Sequence, residues 1–394
     1  MKRKNIKIKH RKYSLYQRKT SKGRKVLTVL LMILLIAALC VIGYGLGRPL
    51  VDYFSGRNNE SEPSSAWTPP SSAATSEQTS DNTSDSGTAE QSSEEQQPAG
   101  ASSAFILPES AVLSSDSLNS ALAAAKNGGY TDITVTMKDD TGNFLYKTTV
   151  KGVAETQITG TLTAKQIAEI ITKAGFTPHA RISTLLDRTT QSYDGEYICY
   201  MIADGGIWHD FYVDQGGKSW LSPFEAGTAK YHAAITAELA NAGFSSIILA
   251  NTVYPAFNPQ DYTNFLRQLS IADDTARLKA LWSVVSACSA AAKSGGRELL
   301  LEMSNTDLFA AEKGLTSAEL AGDKEKLKTV SLLVDFTPGE NAGYAETRAF
   351  IGRISATYPG QSFSARLKTS GFSEQALAEV RRAFDDSGIA VFSE

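Results

Sequence analysis

The fold is decided by ELLLEM (Glu298–Met303), a short run whose apolar side chains occupy both faces of an extended segment. Such a run is typical of a strand that is buried on both sides of a parallel sheet. Similar β-branched or apolar runs recur along the chain: AFIL (104–107), DITVTM (132–137), HARIST (179–184), SIILAN (246–251), VSLLVDF (330–336), SFSARL (362–367) and IAVFS (389–393). We therefore expect eight strands in residues 104–394.

Helical patterns separate these runs. Thr163 with Gln166 forms a capping box for AKQIAEIITKA, which ends at Gly175. Two more helix starts are predicted, at Asn258 before Pro259 and at Ser373. Strands that alternate with helices predict a parallel sheet covered by helices, and eight such units fit a (β/α)₈ TIM barrel. A doubly wound open sheet gives much the same pattern and stays an alternative.

The third connection is longer than the others. It contains two strand-like segments, EYICYMIA (196–203) and IWHDFYV (207–213), and then a helix from about residue 225 to residue 242. In a barrel this insertion would project from the end at which active sites lie. No glycine-rich phosphate-binding motif follows any predicted strand, so the sequence gives no support for nucleotide binding.

An uncharged apolar run, VLTVLLMILLIAALCVIGYGLG, occupies residues 26–47. As a helix it would be about 33 Å long, which is enough to cross a bilayer. Residues 1–25 are rich in Lys and Arg and contain no acid, so we expect this tail to stay in the cytoplasm and the rest of the chain to be extracytoplasmic. A cleaved signal peptide is the alternative, although the run is long for one.

Residues 48–103 are dominated by Ser, Thr, Glu, Gln and Pro, a composition that predicts a disordered stalk. The remaining residues, 104–394, are long enough for one sizeable core. Acidic side chains outnumber basic ones there, which argues against nucleic acid as a partner. Outside the apolar run the cysteines are Cys199 and Cys288, which could pair or remain buried thiols.

Four further segments carry a family resemblance: KDDTGNFLY (138–146), ARISTLLDR (180–188), GGKSWLSPF (216–224) and GFSSIILANTVYP (243–255). With them the chain resembles a glycoside hydrolase family of bacterial membrane-anchored or secreted TIM-barrel proteins, distantly similar to α-amylase barrels. The resemblance covers essentially all of residues 104–394. It implies a barrel that acts on, or binds, cell-envelope polysaccharide.

The fourth-strand motif of that family, FDYxRFP, is degenerate here. Alignment on Pro255 places Ala250 where the family has Asp, Asn251 at its Tyr and Val253 at its Arg. Glycoside hydrolysis generally needs two carboxyl groups, one to donate a proton and one to attack or to activate water. A methyl group at position 250 can do neither, so the resemblance leaves activity uncertain.

Other strand-end acids could replace the missing group. Glu302 is the first candidate for the general acid, because an ionisable side chain in so apolar a strand indicates a functional role. The alternative is that Glu302 pairs with Arg181 or Arg366 inside the barrel. Asp187 and Asp335 are candidates for the second carboxylate, but either could instead cap a helix or pair with Arg188.

Polar and aromatic residues near the expected mouth are candidates for substrate binding: Asp139, Asp140, Arg181, Trp208, Trp220, Asn251, Tyr254 and Arg366. Asp139 and Asp140 lie in DDTG, which is also a good turn sequence. The aromatic residues could stack on sugar rings or simply pack. The histidines lack the spacing of a metal site, and we expect neither a metal nor a cofactor.

Two functions therefore stay open. The first is a membrane-anchored extracytoplasmic glycoside hydrolase in which Glu302 donates the proton. The second is a catalytically inactive module that binds carbohydrate or organises the envelope, which the alanine at position 250 favours.

Overall fold

The computed structural model describes residues 103–262, 266, 273–309, 320–337, 343–370 and 372–394. Within them eight parallel strands form a closed barrel: β1 (Ser103–Ile106), β2 (Asp132–Lys138), β3 (Thr177–Ser183), β4 (Ser246–Ala250), β5 (Glu298–Met303), β6 (Ser331–Phe336), β7 (Phe363–Leu367) and β8 (Val391–Ser393). β1 pairs with β2 on one side and with β8 on the other. The TIM-like barrel is therefore confirmed, and the open sheet is excluded.

Helices cover the barrel between the strands. They are α1 (Ser115–Asn127), α2 (Ala164–Lys173), α3 (Ala226–Ala242), α4 (Asp274–Ser294), α5 (Asn305–Leu308), α6 (Lys324–Leu327), α7 (Tyr344–Thr357) and α8 (Glu374–Asp385). Two predicted N-caps are present. The Thr163 side chain accepts a hydrogen bond from the Gln166 amide at the start of α2, and the Ser373 side chain accepts one from the Ala376 amide at the start of α8. The helix predicted at Asn258 is only one 3₁₀ turn, Pro259–Tyr262. Its long successor α4 is capped by Asp273 instead.

The third connection was expected to contain two strands, and this prediction is wrong. Regular pairing is limited to a short hairpin, Ser192–Tyr193 with Glu196–Tyr197, followed by isolated bridges such as Met201 with Ile207. Ile198 and Tyr200 are fully buried, so the apolar pattern of this segment reflects packing onto the barrel rather than alternation in a sheet. The predicted helix is α3, as expected.

The barrel separates two sets of side chains because successive residues of a strand point to opposite faces. Most outward apolar residues of the strands pack against the helices, whereas five residues form a separate cluster in the interior: Ala104, Ile248, Leu300, Leu333 and Phe392. Positions two residues further along β5 and β6 are Glu302 and Asp335. The alternation therefore brings these two acids to the interior near the carboxyl ends of the strands.

The predicted tail (1–25), apolar run (26–47) and stalk, apart from Ser103, lie outside the described residues. Among the helices that the structure describes, none combines the length and the apolar character that a bilayer crossing requires. Cys199 and Cys288 are free and buried, which resolves the alternative left open by the sequence. Burial raises the pKa of Cys199 to about 11 and that of Cys288 to about 12, so both thiols stay protonated at neutral pH.

Candidate functional site

Four charged side chains meet inside the barrel near its carboxyl end: Arg181 on β3, Glu302 on β5, Asp335 on β6 and Arg366 on β7. The sheet register places Asp335 beside Arg366 on neighbouring strands. Arg181 is 121 residues from Glu302 in sequence, and only closure of the barrel brings the two together. All four were candidates from the sequence, and the structure unites them in one cluster.

Glu302 lies between two guanidinium groups. Arg181 donates from Nε to Oε2 at 2.8 Å and from Nη2 to Oε1 at 2.9 Å, so this pair is bidentate. Arg366 Nη1 donates to Oε1 of the same carboxylate at 2.9 Å. The pairing expected as an alternative for Glu302 is therefore present with both arginines.

Arg366 connects this pair to two further carboxyl groups. Its Nη1 lies 3.4 Å from Asp335 Oδ1, and its Nε donates to Glu394 Oε1 at 3.0 Å. The Asp335 side chain is 32% exposed, whereas that of Glu302 is only 10% exposed. Asp335 is therefore the carboxyl group of the cluster more open to a ligand.

The surroundings shift the pKa values of Glu302 and Asp335 in opposite directions. Burial opposes ionisation of Glu302, but the hydrogen bonds and positive charge of Arg181, together with Arg366 and Lys368, outweigh it and lower its pKa. Burial raises the pKa of Asp335 above the ordinary aspartate value, and the nearby Glu302 charge adds to the rise, although Arg366 opposes it. Glu302 is thus held as a carboxylate, and Asp335 holds its proton to a higher pH.

The rim of the mouth is built around Asp140, an exposed residue that follows β2. Asn251 donates from Nδ2 to Asp140 Oδ1 at 2.8 Å and to Ser183 Oγ at 2.9 Å. Asn251 has a φ of 54°, a left-handed conformation that is uncommon for a residue other than glycine. Arg181 Nη1 lies 3.9 Å from Asp140 Oδ1. Asp140, Asn251 and Arg181 therefore form one continuous polar surface.

Glu109, which follows β1, also lines the mouth and was missed by sequence reasoning. Burial raises its pKa, and the Asp139 and Asp140 charges add to this rise. The signal that could have found it is its position directly after a strand, at the end where barrel sites lie. Glu109, Asp140, Arg181, Arg366 and Glu394 together line a cavity of about 480 Å³.

Asp139 and Asp187 have structural surroundings. Asp139 Oδ1 accepts hydrogen bonds from the Thr141 amide and the Asn143 amide, as the turn interpretation of DDTG expects. Asp187 has no solvent exposure and pairs with Lys138 at 2.9 Å rather than with Arg188. Burial opposes ionisation of Asp187, but Lys138 and the Thr190 amide outweigh it and lower its pKa. A side chain enclosed in this way is not placed to contact a substrate.

The predicted aromatic residues are engaged in packing. Trp208 is 2% exposed and donates from Nε1 to Asp261 at 3.1 Å. Tyr254 is 8% exposed and donates to the Arg277 carbonyl at 2.7 Å, and Trp220 Nε1 donates to Asp210 at 2.9 Å. Within the described ranges no cluster of His, Cys, Asp and Glu side chains could hold a metal ion. The chemistry available at the mouth is that of carboxyl and guanidinium groups.

A sequence comparison finds a family match for the first part of the barrel. Residues 104–291 match the model of a family described as "Putative glycosyl hydrolase domain". This match takes in β1–β4 and most of α4, and ends before Glu302, Asp335 and Arg366. No protein with a curated description matches the sequence.

Solved structures also match this chain, at low sequence identity. The glycoside hydrolase domain of PgaB (BpsB) from Bordetella bronchiseptica is 10% identical, with a TM-score of 0.50 over 75% of this chain and 94% of that one. The catalytic domain of a β-amylase from Paenibacillus polymyxa is 13% identical, with a TM-score of 0.47 over 75% of this chain and 92% of that one. A hypothetical protein from Ruminiclostridium thermocellum is 18% identical, with a TM-score of 0.38 over 50% and 96%. At 10% identity the likeness to the PgaB domain concerns the fold alone.

Proposed function

We propose that this chain is a membrane-anchored, extracytoplasmic, glycoside hydrolase-like protein whose barrel mouth binds cell-envelope polysaccharide. The observation that carries the proposal is the cavity of about 480 Å³ at the carboxyl ends of the strands, with its lining of acids and arginines. Barrel enzymes place their sites at this end, and small-ligand pockets are concave with a few convergent polar groups. Carboxylates accept and guanidinium groups donate hydrogen bonds, so together they suit the hydroxyl groups of a sugar.

The charges of the mouth restrict the kind of sugar. Glu302 neutralises much of the charge of Arg181 and Arg366, and further carboxyl groups from Asp140 and Glu394 surround them. A ligand that carries phosphate, sulfate or uronate groups would meet this excess of acid and be repelled. The proposed ligand is therefore a neutral or cationic polysaccharide.

For hydrolysis, the surroundings favour Asp335 over Glu302 as the proton donor. A general acid must hold its proton near the working pH, and a raised pKa moves a carboxyl group in that direction. Asp335 has the raised pKa and the greater exposure, whereas Glu302 is held ionised by two arginines.

The second candidate function is binding without hydrolysis. Ala250 is fully buried and stands where the resembling family has Asp, and the Glu302 carboxylate is occupied by Arg181 and Arg366. Both features reduce the capacity of the mouth for nucleophilic attack. This candidate keeps the same cavity and the same polysaccharide partner.

The membrane location is proposed from sequence. The apolar run at residues 26–47 with its basic flank supports a single crossing, with the N-terminus in the cytoplasm. The stalk at residues 48–103 would then hold the barrel away from the bilayer surface. Protease accessibility of the barrel in intact cells, compared with lysed cells, tests this topology.

The function is tested on the full chain in detergent. Wild type, Asp140→Asn and Asp335→Asn are titrated with fragments of cellulose, chitin, chitosan and xylan, with polygalacturonate as the anionic comparison, and released reducing ends are measured. Glu169→Gln, on the exposed face of α2, is the control. We expect binding of a neutral or cationic glycan that weakens in Asp140→Asn. Release of reducing ends that Asp335→Asn abolishes identifies a hydrolase, and binding without release identifies the inactive module. Absence of binding to all four glycans refutes the proposal.

A further inference from the structure

A second concave surface lies at the same end of the barrel. It is a cavity of about 340 Å³. The β3 to α3 connection lines it with aliphatic residues, Ile202, Ile207 and Val213, and with Trp208, His209, Phe211 and Tyr212, and the β4 to α4 connection adds Asn258 and Asp261. Both connections leave the carboxyl ends of their strands. The cavity therefore shares the face of the molecule on which the mouth opens.

Phe211 and Tyr212 present large aromatic surfaces at this cavity. Phe211 is 57% exposed and Tyr212 is 62% exposed, and their ring centroids are 5.3 Å apart. Contiguous exposed apolar side chains on a soluble domain commonly mark an interaction site. The two rings offer such a surface beside a concave wall.

The loop that carries these rings is held in place. The Gly217 amide donates to the Tyr212 carbonyl at 2.9 Å, and a Cβ at Gly217 would lie 2.1 Å from the Phe211 carbonyl oxygen, so only glycine allows this approach. Asp210 closes the loop by accepting from the Lys218 amide at 2.7 Å and from Trp220 Nε1 at 2.9 Å. The backbone that carries the exposed rings is thus preorganised, which reduces the entropy lost when a ligand binds.

The inner wall of the cavity is equally fixed. Asp261 is 2% exposed and accepts from Trp208 Nε1 at 3.1 Å and from the Asn258 amide at 2.7 Å. The Asn258 side chain is exposed and that of His209 is partly exposed, so both can exchange hydrogen bonds with a ligand. The cavity therefore combines aromatic faces with polar groups at its edge.

We propose that this cavity is a second sugar-binding subsite, which holds a distal part of the polysaccharide chain whose other part occupies the mouth. The inference rests on the proposed function. A pyranose ring has apolar C–H faces for Phe211 and Tyr212 and equatorial hydroxyl groups for Asn258 and His209. Both cavities are lined by residues that follow the carboxyl ends of strands, so a polymer is the ligand that could occupy both, whereas Asp210 and Asp214 beside the rings disfavour an anionic lipid surface.

The experiment titrates the full chain with disaccharide and hexasaccharide fragments of the glycan panel by calorimetry. It compares wild type, the double variant Phe211→Ala with Tyr212→Ala, and Tyr197→Ala. Tyr197 is the matched control, because it is 54% exposed but lies outside the cavity lining. Loss of both aromatic side chains is expected to weaken hexasaccharide binding roughly tenfold. Disaccharide binding at the mouth and the melting temperature should stay unchanged, and Tyr197→Ala should behave as wild type.

The outcomes separate this inference from the proposed function. Unchanged hexasaccharide affinity in the double variant, together with loss of binding in Asp140→Asn, overturns the subsite and leaves the mouth proposal standing. Absence of glycan binding by wild type overturns both. In proteoliposomes of the full chain, quenching of tryptophan fluorescence by brominated phosphatidylcholine or phosphatidylglycerol that the double variant reduces, with hexasaccharide affinity retained, overturns the subsite in favour of a lipid contact.

Discussion

Replacement of Lys138 by methionine tests the energetic role of the buried pair beneath the mouth. Lys138 Nζ lies 2.9 Å from Asp187 Oδ2, and neither side chain has any solvent exposure. Asp187 also accepts the amides of Thr189 and Thr190. Methionine fills the volume of lysine but leaves the Asp187 charge buried without its partner. Breaking a buried pair in this way costs about 3–5 kcal/mol.

Reversible urea unfolding of the full chain, followed by far-ultraviolet circular dichroism, measures this loss. For a domain of this size the loss corresponds to a melting temperature lower by roughly 6–20 °C. Asp187→Asn keeps an acceptor for the two amides and removes the charge, so Lys138→Met with Asp187→Asn should recover most of the stability. The coupling energy from this double-mutant cycle isolates the pair.

The effect of pH on the stability of Lys138→Met has a defined sign. The pKa of Asp187 is lowered in the folded protein, so its contribution is complete above the ordinary carboxyl pKa of about 3.9 and is lost as the pH falls through the lowered value. Loss of Lys138 raises that pKa. The stability difference between wild type and Lys138→Met should therefore shrink towards pH 4. Two results would contradict this expectation. One is a loss of unfolding free energy below about 1 kcal/mol for Lys138→Met at pH 7, and the other is a loss in the double variant equal to the sum of the losses in the two single variants.

Three other perturbations follow from the same geometry. Gly142→Ala should lower the free energy of unfolding by at least about 2 kcal/mol, because φ is +93° and a Cβ would lie 2.0 Å from Asp187 Oδ1. Gly129→Ala is the control: its φ is +73° but the space around it is open, so it should cost less. Urea unfolding compares the two variants. Glu302→Gln should lower the melting temperature by several degrees, because it leaves Arg181 and Arg366 without their shared anion, while Glu325→Gln in an exposed pair should have little effect; equal melting temperatures would contradict this. In a Cys40→Ser chain, Cys199 and Cys288 should resist thiol reagents at pH 8 until urea unfolds the domain, and rapid native labelling would contradict their burial.

The barrel strands could be predicted because each is a short apolar run between helix signals that act locally. ELLLEM matches β5 residue for residue, and the Thr163 cap stands where the capping box predicts it. The third connection could not be predicted in detail, because IWHDFYV has the alternation of a strand but its Trp208 is buried by packing. Hydrophobic periodicity indicates which side chains are buried, and side chains buried by loop packing give the same pattern as side chains buried in a sheet.

The sequence predicted part of the charge cluster: Glu302, Arg181 and Arg366 were candidates and their pairing was one of two expectations, whereas Glu109 and Glu394 were missed. Arg181, Glu302 and Arg366 stood out as charges in apolar strands, and the barrel joins them in one network. Their mutual distances depend on closure of the sheet, which no local pattern encodes. The partner of Asp187 was missed for the same reason, because Lys138 and Asp187 are brought together only by the packing of β2 against the segment after β3.

We propose the barrel mouth as a sugar-binding site. A structure of the full chain with a disaccharide from the glycan that binds in titration tests it most directly. We expect a sugar ring in the cavity of about 480 Å³, within hydrogen-bond distance of Asp140 and Arg366. A sugar bound elsewhere on the domain, with that cavity free of ligand at saturating concentration, would contradict it.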